Sequence, residues 1–451
     1  MSSLPNELWW NILADAVSRE GDLDVVRPSS ERLHPFFPGA FPGFGGTNFC
    51  SRQLALWKRS NKVTLNLVRV SRLWRGLVEP LLYSALYVQH EWRLRMFINN
   101  VKKNPKLAEQ LRTLVIVSTS CIRGLTEPFD SRLIVQVLNL CHGVTDIAME
   151  SYVLVSPLPL LQSLDSSRRL RLLSVVRLMN EEFPAFVGNF NNYSTLQALE
   201  LSVKDIEGST LPSLPEHIPF PSLRALILGD LDPLALSVVG KFELPSLREL
   251  TISRWKPLVS TPLIPLIRRS YERLEFLNTS IDLLHDRAFY DITRAPPPHL
   301  RNLTLDLATS DHSSPPMRFA VKSVFHHVTT LGTCGISAIR PENKVEWVRF
   351  LSDRTYMPHL RSVLTDTTIG LAEACLQRNL PLVDLLCSFE EVLEARGVPL
   401  KGLANDNLSF IPVEILQKKR LRGQHTLFNH FPYSRSHSHS PCQHQNALQG
   451  N

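Results

Sequence analysis

The chain has no apolar run of the roughly 18 residues that a membrane-spanning helix needs. Its most apolar stretch, Val153 to Leu164, is interrupted by Pro157 and Pro159, so no membrane partner is expected. The start lacks a basic segment ahead of its first apolar stretch, which already carries Glu7 and Asp15. A secretory leader is therefore not expected. Paired cysteines are missing too: the seven present (Cys50, Cys121, Cys141, Cys334, Cys375, Cys387 and Cys442) are scattered and never spaced C-x-x-C. That excludes a disulfide framework or zinc ribbon and fits a reducing compartment, cytoplasmic and/or nuclear. The sequons at Asn192, Asn278, Asn302 and Asn407 then carry no meaning. Glycine is scarce, 19 residues against 32 prolines. This disfavours an enzyme built on glycine-rich loops and points to short elements punctuated by proline. No G-x-S-x-G, H-E-x-x-H or G-x-x-x-x-G-K-[ST] occurs, so no catalytic residue, cofactor or metal site is assigned and the chain is not expected to be an enzyme. A net charge of +7 over 451 residues is mild. It permits an acidic partner without demanding nucleic acid.

What is present is repetition. Length alone suggests about three globular units unless a repeat architecture intervenes. The words Pro221-Ser222-Leu223-Arg224 and Pro245-Ser246-Leu247-Arg248 are identical, and Pro298-His299-Leu300-Arg301 and Pro358-His359-Leu360-Arg361 are near copies. Each opens an apolar pattern L-x-x-L-x-L, which recurs with first positions at 111, 144, 170, 196, 223, 247, 271, 300, 328 and 360. The steps run from 24 to 33 residues. The alternating part reads as a short strand, and the residues between strands as a return element that is helical where the pattern allows, as at Pro233 to Val239. One such unit cannot bury its apolar face; stacked units share a continuous core. Over residues 105–380 the chain resembles the leucine-rich-repeat family, which implies an α/β solenoid of horseshoe form. The family's usual Asn or Cys after the last leucine is replaced by Lys204, Leu231, Trp255 and Ala308. A closing helix is predicted over 381–397, with Leu382, Leu385, Leu386, Phe389, Val392 and Leu393 as its stripe and Gly397 as its stop. Residues 398–451 read as an irregular to disordered tail.

Residues 1–90 have a different character. Leu4-Pro5-Asn6-Glu7-Leu8-Trp9-Trp10-Asn11-Ile12-Leu13 places Pro5 in a first helical turn and Glu7 near its positive end. A second block, Leu65 to Val88, carries Val70-Ser71-Arg72-Leu73-Trp74 and Leu82-Tyr83. Together they resemble the F-box, a small helical module that docks a Skp-type adaptor and through it a cullin-based SCF ubiquitin ligase. By that resemblance Leu4, Pro5, Leu8, Ile12, Leu13, Val70, Trp74 and Leu77 build the module or contact the adaptor. An insert at 21–63, with a Pro/Gly/Phe stretch over 38–46, interrupts the pattern and reads as loop.

The combination implies a non-catalytic substrate receptor. Its target is a protein, placed on outward strand positions: Glu200, Ile227, Glu249, Thr251, Arg273, Glu275, Thr304 and Asp306. That mixed surface lacks the basic track of a nucleic-acid binder. The alternative is a leucine-rich-repeat scaffold with no ubiquitin role, whose N-terminal helices only cap the repeats. A cap would bury Leu8, Ile12 and Trp74; a docking module would leave part of that face open. Arginine follows the first leucine in six units, at 112, 171, 224, 248, 301 and 361. Those arginines read either as a basic ladder for an acidic or phosphorylated segment or as a solvated edge paired with carboxylates, and the second needs less. His437, His439, Cys442 and His444 in the tail have metal-like spacing in a Ser/His-rich context that more often binds nothing.

Overall fold

The computed structural model describes residues 8–9, 62–88, 90–117, 130–150, 170–178, 183, 186–187, 193–203, 216–252, 261–292, 297–307, 325–336, 339–365 and 380–402. Its frame is mixed α/β, dominated by one parallel sheet of twelve strands. These are β1 (Ala85–Val88), β2 (Thr113–Val117), β3 (Asp146–Glu150), β4 (Leu172–Leu178), β5 (Ala198–Val203), β7 (Ala225–Leu231), β9 (Glu249–Ile252), β10 (Phe276–Ser280), β11 (Asn302–Asp306), β12 (Thr330–Cys334), β13 (Ser362–Thr365) and β14 (Leu400–Gly402). Each pairs with the strand before it in chain order, without crossover, and β1 and β14 form the two edges, so there is no closed barrel. A separate pair, β6 (Ile218–Pro219) and β8 (Phe242–Glu243), lies between the units that hold β7 and β9.

The repeated words are legible as one local device. In seven units the N–H of the first apolar position bonds back three residues: Leu196 to Tyr193, Leu223 to Phe220, Leu247 to Leu244, Leu274 to Tyr271, Leu300 to Pro297, Val328 to Phe325 and Leu360 to Met357, at 3.0–3.3 Å. The turn brings two apolar groups into the core together, and the strand begins two residues later. Leucines at the pattern positions, such as Leu226, Leu250, Leu277, Leu303 and Leu331, join a single cluster running the length of the sheet. Burying each contributes about 2 kcal/mol. The return elements close that cluster from one side. Pro233–Val239 starts at Asp232, whose carboxylate accepts from the N–H of Leu234 at 2.8 Å, and it buries Ala235, Leu236, Val238 and Val239. Gly240 follows without room for a side chain, because a Cβ there would sit 2.4 Å from the carbonyl oxygen of Pro262.

Several boundaries differ from the sequence expectation. The seventh unit is framed on Leu274, Leu277 and Thr279 rather than on Tyr271, Leu274 and Phe276. Threonine at the third inward position hid it, as it does again at Thr333 and Thr365, all three buried. The sheet also starts earlier than residue 105: Tyr83, Leu86 and Val88 follow the same pattern, and β1 pairs with β2. The Leu380–Ala395 helix is not the last element. It buries Leu385, Leu386, Phe389 and Leu393 and ends at Gly397 in left-handed conformation (φ 70°). The Val398 N–H then returns to the Leu393 carbonyl at 2.9 Å. The chain re-enters the sheet as β14, inside the segment expected to be irregular. No apolar pattern announced it, since glycines occupy 397 and 402. No helix among the described residues is long and apolar enough to cross a membrane.

Candidate functional site

Three surfaces bear on function. The first is built on the Arg72–Leu82 helix. Ser71 caps it, its hydroxyl accepting from the N–H of Trp74 at 3.1 Å. Val78 anchors it by full burial, while Tyr83 and Leu86 just beyond it pack on the core of the sheet. Around its start apolar residues are exposed, Val70 at 59% ahead of the helix and Leu73 at 49% in its first turn; Leu65 at 48% and Leu8 at 47% are exposed too. Trp74 and Leu77 are half-buried. The Trp9 and Trp74 rings meet at 5.5 Å, joining the two sequence blocks. Of the seven large apolar residues exposed among the described residues, six (Leu8, Leu65, Val70, Leu73, Trp92 and Met96) fall in the first 96 positions. Leu4, Pro5, Ile12 and Leu13, like residues 21–61 of the insert expected at 21–63, lie outside the described residues; residues 62 and 63 are helical. Leu65 and Leu73 are not among the residues the F-box resemblance singles out; Leu73 lies in the first turn of the helix and Val70 in the turn ahead of extended Ser71.

The second surface is the strand face opposite the helices. Register aligns Val115, Ala148, Ser174, Glu200, Ile227, Thr251, Asn278, Thr304 and Gly332 in one row across nine strands. The target-binding positions expected here are not open. Glu200, Ile227, Glu249, Thr251, Thr304 and Asp306 are all buried. The physical reason is that a parallel sheet is generally covered on both faces, and this row is a second buried layer. Ser174 donates a hydrogen bond to the Glu200 carboxylate, but burial outweighs it and pushes the carboxyl up to about 7. Neither amide atom of Asn278, also buried, has a hydrogen-bond partner.

Arg273 and Glu275, the other two expected positions, stand instead on the third surface, the lip from which the strands start. Backbone bonds tie this lip into a line: Arg224 to Gln197, Arg248 to Arg224, Glu275 to Arg248, Arg301 to Glu275, Thr329 to Arg301 and Arg361 to Thr329, each N–H to carbonyl at 2.7–3.0 Å. The six arginines divide. Arg171 makes a bidentate pair with buried Asp146, at 2.9 and 2.6 Å. Arg112 donates to the Gly143 carbonyl at 3.2 Å, and Arg248 pairs with Glu275. Arg171 and Arg248 thus pair with carboxylates as the solvated-edge reading has it, while Arg112 meets a backbone carbonyl instead. Arg224, Arg301 and Arg361 make no side-chain hydrogen bond or ion pair among the described residues. A cavity of about 390 Å³ opens on the lip, lined by Arg224, Ser246, Arg248, Arg273, Glu275 and His299 among others. Beyond it His299, His326, His327 and His359 cluster across three units, His326 lying 4.9 Å from His327 and 5.6 Å from His359 between ring centres. Desolvation and then the neighbouring imidazoles hold His327 below the ordinary range. No group of three or more His, Cys, Asp or Glu among the described residues is arranged to hold a metal ion. The His/Cys tail at 437–444 lies outside them.

No known protein family and no curated protein matches the chain. A solved structure from Bacteroides fragilis, a Northeast Structural Genomics Consortium target, is similar at 12% identity and a TM-score of 0.35, covering 80% of this chain and 86% of its own. A likeness of that size carries no argument about fold or function.

Proposed function

We propose that the chain is a non-catalytic receptor subunit: an F-box-like N-terminal module docks a Skp-type adaptor, and a leucine-rich-repeat solenoid presents a protein target to an SCF-type ubiquitin ligase. The observation that carries the reading is the exposure of Leu8, Leu65, Val70 and Leu73 within the two blocks that the Trp9–Trp74 contact joins, on and ahead of a helix anchored by Val78. A helix pair serving only to cap the repeats would have turned those side chains inward, so the scaffold alternative accounts less well for them. Exposed clusters of this kind mark protein-interaction sites. The unbroken chain-order pairing of twelve strands favours the repeat reading of the sheet. Target recognition passes to the lip, because the strand face is buried. The mechanism would be proximity: tethering raises the effective concentration of one protein near the conjugating machinery.

The test is co-expression of the full chain with a Skp-family adaptor and measurement of stoichiometric co-purification. The full chain is the right bait because β1 lies within the first 90 residues and pairs with β2. A fragment ending near residue 90 would lose that partner. A soluble, folded full chain that captures no adaptor leaves the scaffold reading in its place.

A further inference from the structure

The lip cavity has a composition that neither docking nor folding uses. Arg224, Arg248 and Arg273 bring three guanidinium groups to one opening, and Glu275 supplies a single carboxylate, taken up by Arg248. The local balance is therefore +2 before His299 is counted. Arg273 is held by one bond, its Nη1 donating to the Pro245 carbonyl at 2.8 Å. Arg224 has no side-chain partner among the described residues. All three are exposed, so none is committed to the core. The Ser246 hydroxyl is engaged with the Pro221 carbonyl at 2.7 Å, which fixes the turn forming the cavity wall. Since neighbouring parallel strands lie about 4.8 Å apart, Arg224 and Arg248 stand one strand step from each other.

We propose that this cavity binds a phosphoryl dianion carried by a serine or threonine of a protein partner. Charge +2 matches the dianion, and guanidinium forks match its oxygens in pairs, which a lone carboxylate would not require. The surroundings favour a protein segment over other phosphate carriers. No large apolar residue is exposed near the cavity among the described residues, as a membrane-inserting edge would need. Among the described residues no Phe, Tyr or Trp lines the cavity as a platform for stacked bases, and His299 is its single ring. Past the cavity on one side stand Arg301 and Arg361, neither with a side-chain partner among the described residues, whereas on the other side Gln197 is followed by Arg171, already committed to Asp146. That asymmetry suits a phosphorylated residue flanked by acidic residues on a single side. The proposal rests on the receptor reading only for why a protein target should arrive there.

Fluorescence anisotropy of the full chain with two degenerate peptide pools tests it, one centred on phosphoserine and one on serine. The phosphoserine pool is expected to bind at least tenfold more tightly, with inorganic phosphate competing. R224Q and R273Q should each weaken that binding about five- to tenfold, and R112Q, outside the cavity, should leave it unchanged. Melting temperature of each variant separates loss of the site from loss of the fold, and R224Q, which breaks no internal contact, should melt with the wild type. Equal binding of the two pools, no binding of either, or wild-type binding by R224Q overturns the proposal. So does retention on phosphoinositide vesicles without discrimination between the pools. Adaptor capture by the same preparations is scored separately, so failure of the receptor reading leaves the phosphate result standing, and the reverse.

Discussion

Residues 62–96 and the sheet from β2 to β13 are built on opposite terms. In the first, apolar side chains are left in water: Val70 ahead of one helix and Leu73 in its first turn, Trp92 and Met96 on the next. In the second, one exposed large apolar residue among those described, Val345, stands against a continuous core. Both segments are amphipathic by sequence, so amphipathicity alone does not say which face will be covered. The difference lies in what the neighbouring unit offers. A repeat finds another repeat beside it, whereas the Arg72–Leu82 helix buries Val78 alone among its residues. On the proposed reading, the apolar surface left open on residues 62–96 is where the adaptor docks.

The largest effect should come from the packed region. Trp347 is fully buried, with Phe350 at 5.7 Å and Phe389 at 6.4 Å between ring centres. Trp347→Ala should cost about 3–5 kcal/mol by denaturant unfolding, through lost burial and the cavity left behind. Adaptor capture should persist wherever the variant stays folded. Loss of capture from a folded variant would mean the two regions are not independent.

Glu200 sharpens the same contrast from the other side of the sheet. Its carboxyl titrates near 7 when folded, against an ordinary value of 4.5. Between those values the folded chain holds the proton more tightly than the unfolded chain. Stability therefore falls as pH rises through that window, by on the order of 3 kcal/mol once above it. Glu200→Gln keeps an acceptor for Ser174 and removes the charge. The variant should match the wild type near pH 4.5 and exceed it at pH 8, in thermal melts run across the range. A wild-type stability that does not decline over that interval would mean the row is wetter than its burial implies.

How far the residues themselves announced this arrangement varied with the chemistry of each repeat. The words Pro-Ser-Leu-Arg and Pro-His-Leu-Arg were strong signals because every copy makes the same three-residue turn. Thr279, Thr333 and Thr365 weakened the pattern where it was still obeyed, since a threonine buries in a leucine's place with half its apolar bulk. β1 was read as part of the helical module because Tyr83 and Leu86 serve both patterns at once. The burial of Glu200, Thr304 and Asp306 had no local signature: alternation assigns a side chain to a face, and only the rest of the chain decides whether that face meets water. The lip was half legible. The arginine spacing was plain, but which arginines would find a carboxylate depended on Asp146 and Glu275 from adjacent units.

The smallest effect on stability should accompany the most specific effect on function. Val70→Asp with Leu73→Asp places two charges where the free chain already exposes more than 45% of each side chain. Surface changes of this kind usually fall within about 0.5 kcal/mol, so the melting curve should scarcely move. A partner that desolvates both positions would instead have to bury two unpaired carboxylates, which binding cannot compensate. Capture of a Skp-family adaptor should then be lost while the sheet, its β1–β2 edge and phosphoserine discrimination at the lip stay as they were. Were the double variant to unfold, Val70 and Leu73 would belong to the core after all, and the distinction between an open segment and a closed one would fail at the residues chosen to express it.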